Sequence, residues 1–269
     1  MIEPHHSPLV DVRQRIAAAA KVARREADEI ALVAISKTQP VEAIHTLIVQ
    51  GQRIFGENRV QEAQAKWPAL REANPDVSLH LVGQLQSNKA AEAVALFDQI
   101  HSLDRPSLLT ALAKAMDAAG RRVPCFVQVN IGEEAQKGGC AIGDLAALLA
   151  QARGADVPLA GLMCVPPDGI EPAPFFAFLA KLADQVQLHV RVGLAQGQPL
   201  GLRLVDPVLA EHPLALDDQR MDRLDRLGLA DRNERDFICL APRHFGGGGD
   251  PLANIDKRRV MWFDHRMLL

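Results

Sequence analysis

Short apolar runs alternate with amphipathic stretches along the first two thirds of the chain. A continuous apolar run is typical of a strand buried on both faces, whereas apolar residues three and four apart predict a helix. The pattern predicts an amphipathic helix at about 8–31, followed by strands at 31–36, 53–56, 78–82, 98–101, 123–130 and 159–164. Each strand is followed by a predicted helix, at 40–51, 58–72, 88–96, 106–119, 142–152 and 173–184.

Six strand-then-helix units in series predict an α/β fold with a parallel sheet. Because the strands are short, their number favours a (β/α)8 barrel over an open sheet. We therefore expect residues 8–184 to form a barrel with six recognisable units.

The alternation of predicted strands and helices ends at about residue 185. Strand-like composition occurs at 187–192 and 236–240, a short charged helix is predicted at 221–227, and the glycine run 246–249 indicates a flexible loop. Lysine also becomes rare, since Lys257 is the one lysine beyond residue 185. We expect residues 185–269 to be an atypical, poorly ordered segment that leaves the barrel incomplete or irregular after strand six.

Composition excludes several classes of protein. With 48% hydrophobic and 23% charged residues the chain can form a sizeable core, and its net charge of −3 gives no general attraction to nucleic acid or membranes. The amino terminus lacks a signal-peptide pattern and no apolar run reaches membrane-spanning length, so we expect a cytoplasmic protein. The four cysteines are widely spaced without a C-x-x-C pair, which argues against a zinc site and a disulfide framework.

Lys37 follows the first predicted strand, 31–36, whose residues Leu32 to Ile35 are continuously apolar, and a helix opens at Pro40. In parallel α/β folds the chemistry lies at the carboxyl ends of the strands. Partial burial there favours the neutral amine, which is the nucleophile that forms a Schiff base. The alternative is a surface lysine whose ammonium reaches water, and on position alone this alternative is favoured.

Polar residues also follow the other predicted strands, and in a closed barrel they converge on one mouth. Each has an ordinary alternative use: Asn58, Asn88 and Asp104 as helix caps, and Lys89, Glu57 and Glu62 as solvated charges. Further polar residues at these ends are Ser102 and Asn130, and Met163 lies on strand six.

Ordered motifs identify a family that the chain resembles. The motifs are Val33-Ala34-Ile35-Ser36-Lys37-Thr38, Phe55-Gly56-Glu57-Asn58-Arg59-Val60-Gln61-Glu62, Leu79 to Lys89 with the sequence LHLVGQLQSNK, Ile100-His101-Ser102-Leu103-Asp104, Val127 to Ile131, Glu133 to Gly138, and Gly161-Leu162-Met163-Cys164. Over residues 8–184 they closely resemble the pyridoxal phosphate homeostasis proteins, the YggS/PROSC group. Family members often have His or Pro at the position of Gln84, so we assign Gln84 no role in the site.

The resemblance implies a barrel of the alanine racemase N-terminal type that binds pyridoxal 5′-phosphate (PLP). It implies a Schiff base on Lys37, with Asn58, Asn88 and Met163 also at the cofactor. It further implies a role in vitamin B6 balance without established turnover, a monomer, and PLP-dependent apoenzymes as partners. A racemase-like enzyme is the alternative, but alanine racemases use a tyrosine base and this chain has no tyrosine.

The carboxyl-terminal part departs from the family pattern. The Ser-Met-Gly-Met-Ser and Arg-Val-Gly-Thr/Ser segments that hold the PLP phosphate in the family are missing, and Val190-Arg191-Val192-Gly193 comes too early and lacks the hydroxyl. One hypothesis is that the gene is read in a shifted frame after about Gln185. On that hypothesis the chain is a damaged family member that binds PLP weakly.

Overall fold

The computed structural model describes residues 7–196, 237–240 and 260–264, and the side chains of residues 7–186. Within these ranges the strands are β1 (Ile30–Ile35), β2 (Ile54–Glu57), β3 (Ser78–Leu81), β4 (Gln99–Leu103), β5 (Cys125–Val129), β6 (Leu159–Cys164), β7 (Phe237–Leu240) and β8 (Val260–Asp264). The helices are α1 (Pro8–Val22), α2 (Val41–Val49), α3 (Val60–Ala73), α4 (Ala90–Leu96), α5 (Pro106–Ala119), α6 (Leu145–Gly154) and α7 (Ala173–Gln196).

The strands that the structure describes close into a barrel in the order β1 to β8. Neighbouring strands from β1 to β6 are parallel, and β8 closes the barrel by pairing in parallel with β1. Strand β7 runs antiparallel to both β6 and β8, unlike the strands of a regular (β/α)8 barrel. The predicted α/β barrel with irregularity after strand six is therefore confirmed.

One predicted helix and one predicted strand are wrong. The first helix ends at Val22 rather than near Ala31, because Arg24 adopts a left-handed backbone conformation with a φ of 53°. Residues 187–192 do not form a strand but continue α7 to Gln196. Their valines suggested a strand, yet Leu182, Val186 and Val190 are spaced four apart, as in a helix.

The remaining expectations for the carboxyl-terminal part have separate outcomes. The strand predicted at 236–240 is confirmed as β7, whereas β8 was not predicted. The helix predicted at 221–227 and the loop at 246–249 lie outside the described residues.

The apolar core has two layers, as the alternation of side chains along a strand requires. The outer layer packs helices against the barrel and includes Leu32 and Ala34 of β1 together with Trp67 of α3. The inner layer fills the barrel itself and consists of Ala31, Val33, Ile35, Val82, Phe126, Ala160 and Met163. Strand β1 thus presents alternate residues, Ala31, Val33 and Ile35, to the barrel interior.

The cysteines whose side chains the structure describes are buried in the core. Cys125, Cys140 and Cys164 are buried free thiols, and burial raises the pKa of each to about 12. No cluster of three His, Cys, Asp or Glu side chains that could hold a metal ion occurs among the described residues. None of the helices described is both long and apolar enough to cross a membrane.

Candidate functional site

Lys37 lies just beyond the carboxyl end of β1, at the barrel end that we call the mouth, where the carboxyl ends of β1 to β6 meet. The strand ladder extends one residue past β1, since the Ser36 N–H donates to the Gly56 carbonyl oxygen at 2.9 Å. Val33 and Ile35 face the barrel interior. Alternation therefore places Lys37 on the same inward row, where its side chain is half-buried.

Asn58 follows β2 directly and is half-buried beside the mouth. It does not cap α3, because the N-cap position of that helix is Arg59. The chain after β3 approaches its backbone closely: a Cβ atom on Gly83 would come within 2.2 Å of the Asn58 carbonyl oxygen. This contact fixes Asn58 at the junction of β2 and β3.

Asn88 lies on the loop after β3, within a short 3-10 turn at Ser87–Lys89, and its side chain is exposed. The turn leads into α4, whose N-cap position is Lys89, so Asn88 is not a helix cap either. Lys89 pairs with Glu92 at 3.0 Å, as expected for a surface charge. The structure thus brings Lys37 and Asn58 to adjacent strand ends and leaves Asn88 on an outer loop.

Met163 is 1% exposed and belongs to the inner layer of the core beside Phe126. It is in register with Gln128 of β5, whose amide donates to the Gly138 carbonyl oxygen at 3.1 Å. Gln84 in turn donates to Gln128 Oε1 at 2.7 Å. Sequence reasoning assigned Gln84 no role and overlooked Gln128, yet together they link β3, β5 and the loop after β5.

The loop after β5 is tied down across the ends of β5 and β6. The side chain of Asn130 donates to the Glu134 carbonyl oxygen at 2.9 Å and accepts from the Glu134 N–H at 3.1 Å. Lys137 donates to the Pro166 carbonyl oxygen at 2.9 Å and pairs with Glu134 at 2.8 Å. Asn130 therefore organises this loop.

The predicted capping and solvation of the acidic strand-end residues are partly wrong. Asp104 does not cap α5, whose N-cap is Arg105, but pairs with Arg105 at 2.6 Å. Glu57 is not solvated but fully buried, with Oε1 accepting from Ser36 Oγ at 2.7 Å and from Trp67 Nε1 at 3.0 Å. Its Oε2 atom has no hydrogen-bond partner among the described residues.

A pair of buried histidines lies deeper in the barrel. His101 Nε2 is 3.2 Å from His80 Nδ1, and the His101 ring stacks on Phe126. Burial lowers the pKa of His80 to about 4, although the Asp98 carboxylate opposes this shift. Burial and the neighbouring His80 lower the pKa of His101 as well. Both imidazoles are therefore neutral at physiological pH.

Comparison with known proteins places this geometry in a family. The profile of the alanine racemase N-terminal domain matches residues 12–196. The pyridoxal phosphate homeostasis protein of Pseudomonas aeruginosa is 35% identical over 187 residues, which are 69% of this chain and 80% of the relative. The chain belongs to the pyridoxal phosphate homeostasis family. The Escherichia coli K12 family member is 38% identical over 162 residues, 59% of this chain and 68% of its own.

Solved structures agree with this family assignment. PipY of Synechococcus elongatus, solved with PLP bound, is 37% identical with a TM-score of 0.56, covering 65% of this chain and 82% of PipY. Alanine racemase of Clostridium difficile, at 10% identity and a TM-score of 0.52, covers 67% of this chain and 48% of the racemase, and shows a common fold alone. The predicted family and barrel type are thus confirmed, whereas the domain boundary at residue 185 stays a prediction.

Proposed function

We propose that this chain binds PLP as a Schiff base on Lys37 and serves PLP homeostasis without catalytic turnover of its own. The observation that carries the proposal is the position of Lys37, on the inward row at the carboxyl end of β1. It is supported by the family, whose member PipY has been solved with PLP bound. The absence of tyrosine argues against the racemase-like alternative.

The residues at the mouth fit such a cofactor. Lys66, Lys89 and Lys137 each pair with a carboxylate, whereas no hydrogen bond or ion pair from Lys37 Nζ is formed to the described residues. A half-buried amine that pairs with none of the described carboxylates is well suited to be a nucleophile. Lys37 would hold the cofactor through its amine, and PLP would supply the aldehyde that condenses with this amine with loss of water.

Three further residues have proposed roles around the cofactor. The Asn58 side chain makes no hydrogen bond to another described residue, so its amide is available to a polar group of the cofactor. Met163 supplies a polarisable thioether of the kind that packs well against an aromatic ring. Asn88, on its exposed loop, would act at the rim.

We also propose the cellular setting that the family suggests. The chain would act in the cytoplasm as a monomer and deliver PLP to PLP-dependent apoenzymes. The neutral His80–His101 pair places no charge in the barrel interior under these conditions.

The proposal predicts that titrating the purified protein with PLP produces a saturable Schiff-base absorbance band with one cofactor per chain. Pyridoxal should bind at most about tenfold more weakly, since the two phosphate-holding segments of the family are missing from the sequence and a phosphate needs such a backbone site. Absence of a band, or a band that never saturates, would contradict PLP binding at one site. A pyridoxal affinity several orders of magnitude lower would instead show a strong phosphate site.

A further inference from the structure

An ion cluster, formed by Glu57, Glu62 and Lys66, lies behind the strand end that holds Lys37. The Lys66 ammonium is 2.8 Å from Glu57 Oε1 and 2.9 Å from Glu62 Oε1. Glu57 ends β2, while Glu62 and Lys66 are one turn apart on α3. The Lys66 side chain is 12% exposed and that of Glu57 is 0% exposed. Removing such charges from water is unfavourable, so their location requires a reason beyond stability.

The ion cluster holds the peptide groups on both sides of Lys37. Lys66 Nζ donates to the Ser36 carbonyl oxygen at 2.8 Å, which fixes the peptide group that joins Ser36 to Lys37. The Glu62 carboxylate accepts from the backbone N–H of Thr38, which fixes the next peptide group. Hydrogen bonds to charged groups are stronger than those between neutral groups. The backbone at Lys37 is therefore constrained from both directions.

Thr38 has a backbone conformation that needs such support. Its φ is 60°, in the left-handed region, which is unusual for a β-branched residue. Conformations of this kind persist where the surroundings determine them, and they cluster at functional sites. The hydrogen bond from Thr38 to Glu62 supplies one such constraint, immediately after Lys37.

The charge of Glu62 is maintained by the same contacts. Burial acts to raise the pKa of Glu62, but hydrogen bonds from Lys66 and from the Thr38 amide outweigh it, and the pKa falls below its usual value. Glu62 is therefore ionised at neutral pH and accepts the Thr38 N–H as a carboxylate.

We propose that Glu57, Glu62 and Lys66 are positioning residues for the Lys37 amine. By fixing the backbone around Lys37, they limit the directions from which its amine can meet the aldehyde of the cofactor. Less conformational freedom is then lost when the Schiff base forms, which favours its formation. Glu57 accepts from the Ser36 hydroxyl and from Trp67 in the outer layer of the core and pairs with Lys66, so it acts through Ser36 and Lys66 rather than by touching the cofactor. This inference rests on the proposed function, which makes Lys37 the reacting amine.

Glu62→Ala is the variant that tests the inference. In cofactor-free protein, hydrogen exchange of the Thr38 amide should become faster, because the amide loses its acceptor. The rate constant for Schiff-base formation with PLP should fall about tenfold, as expected for losing a hydrogen bond to a charged group. Glu62→Gln, which keeps an acceptor oxygen, should restore most of the rate. Glu29→Ala, which removes an ion pair with Arg25 at 2.9 Å before β1, should leave both measurements unchanged.

A second variant tests the other side of the ion cluster. Lys66→Met alone would leave Glu57 as a buried, unpaired carboxylate, which is strongly destabilising, so the double variant Glu57→Gln/Lys66→Met is used. The glutamine side chain carries no charge that needs a partner, and its amide oxygen can still accept from Ser36 and Trp67. This double variant should also react about tenfold more slowly with PLP, because the Ser36 carbonyl oxygen loses its charged donor.

The outcomes separate this inference from the proposed function. Unchanged exchange at Thr38 in Glu62→Ala, or a wild-type rate of Schiff-base formation in both variants, would overturn the positioning role. If the wild-type protein forms no Schiff base, the proposed function is wrong, and the positioning role falls with it whatever the exchange shows. Slower Schiff-base formation together with faster exchange of the Thr38 amide in Glu62→Ala supports both the positioning role and the proposed function.

Discussion

Replacing Lys37 by alanine is expected to abolish the Schiff-base absorbance band entirely. The variant has no amine at the end of the inward row of β1, and three other lysines at or near the barrel, Lys66, Lys89 and Lys137, are held in ion pairs. Because the Schiff base is covalent, its loss cannot be offset by the remaining contacts at the mouth. Absorbance spectra of the wild-type and variant proteins, each mixed with one equivalent of PLP, provide the measurement.

Lys114→Ala is the matched control, since Lys114 lies on α5, away from the mouth. This variant should keep the full band and the wild-type affinity for PLP. A band of wild-type intensity in Lys37→Ala would show that another lysine holds the cofactor. Equal losses in both variants would indicate adventitious reaction with surface amines.

Acidification from about pH 7.5 to about pH 5 should destabilise the barrel through its buried histidine pair. The pKa of His80 is lowered from 6.5 in the unfolded chain to about 4 in the folded protein. The contribution of neutral His80 to stability is therefore complete above pH 6.5 and is lost as the pH falls towards 4. The reason is that His80 takes up a proton in the unfolded chain at a higher pH than in the folded protein. The free energy of unfolding should fall by about 2 kcal/mol over this interval from His80 alone.

Urea unfolding at the two pH values measures this effect, and His80→Gln provides its control. His101, whose pKa is also lowered, adds to the loss in the wild-type protein. The variant should be less stable at about pH 7.5 but should lose about 2 kcal/mol less between the two pH values. An equal loss in wild type and variant would contradict the assignment of the pH dependence to His80.

The sequence predicts the first six strands well because of how a parallel barrel is built. Strands buried on both faces are continuous apolar runs, and Leu32 to Ile35 is such a run. Strand β8 was missed although Val260 to Phe263 is also apolar, because it follows a basic stretch and pairs with a strand at the other end of the chain. Pairing across such a separation leaves no local pattern that indicates the partner strand.

The candidate site was predicted only in part, and position alone did not suffice. The strand-end position of Lys37 favoured a surface lysine, and the family motifs reversed that preference. The burial of Glu57 could not be predicted, since an isolated carboxylate in a sequence indicates a solvated group. Its partners Ser36 and Trp67 come from the end of a different strand and from a helix, so only the folded chain shows the ion cluster.

The capping predictions failed for a related reason. Asn58 and Asp104 have the residue types of helix caps, but each lies one residue before the N-cap position of its helix, which is Arg59 for α3 and Arg105 for α5. A sequence pattern places a helix end to within a few residues, whereas a capping bond depends on one position. Asn58 is consequently left beside the mouth, where its side chain makes no hydrogen bond to another described residue.

Borohydride reduction of the wild-type protein with one equivalent of PLP, followed by peptide mapping by mass spectrometry, identifies the lysine that holds the cofactor. Reduction converts the Schiff base into a stable amine and marks the lysine that formed it. We predict that the phosphopyridoxyl group lies on the peptide containing Lys37, in nearly one copy per chain. A label found mainly on another lysine, or spread over several of them, would contradict a Schiff base on Lys37.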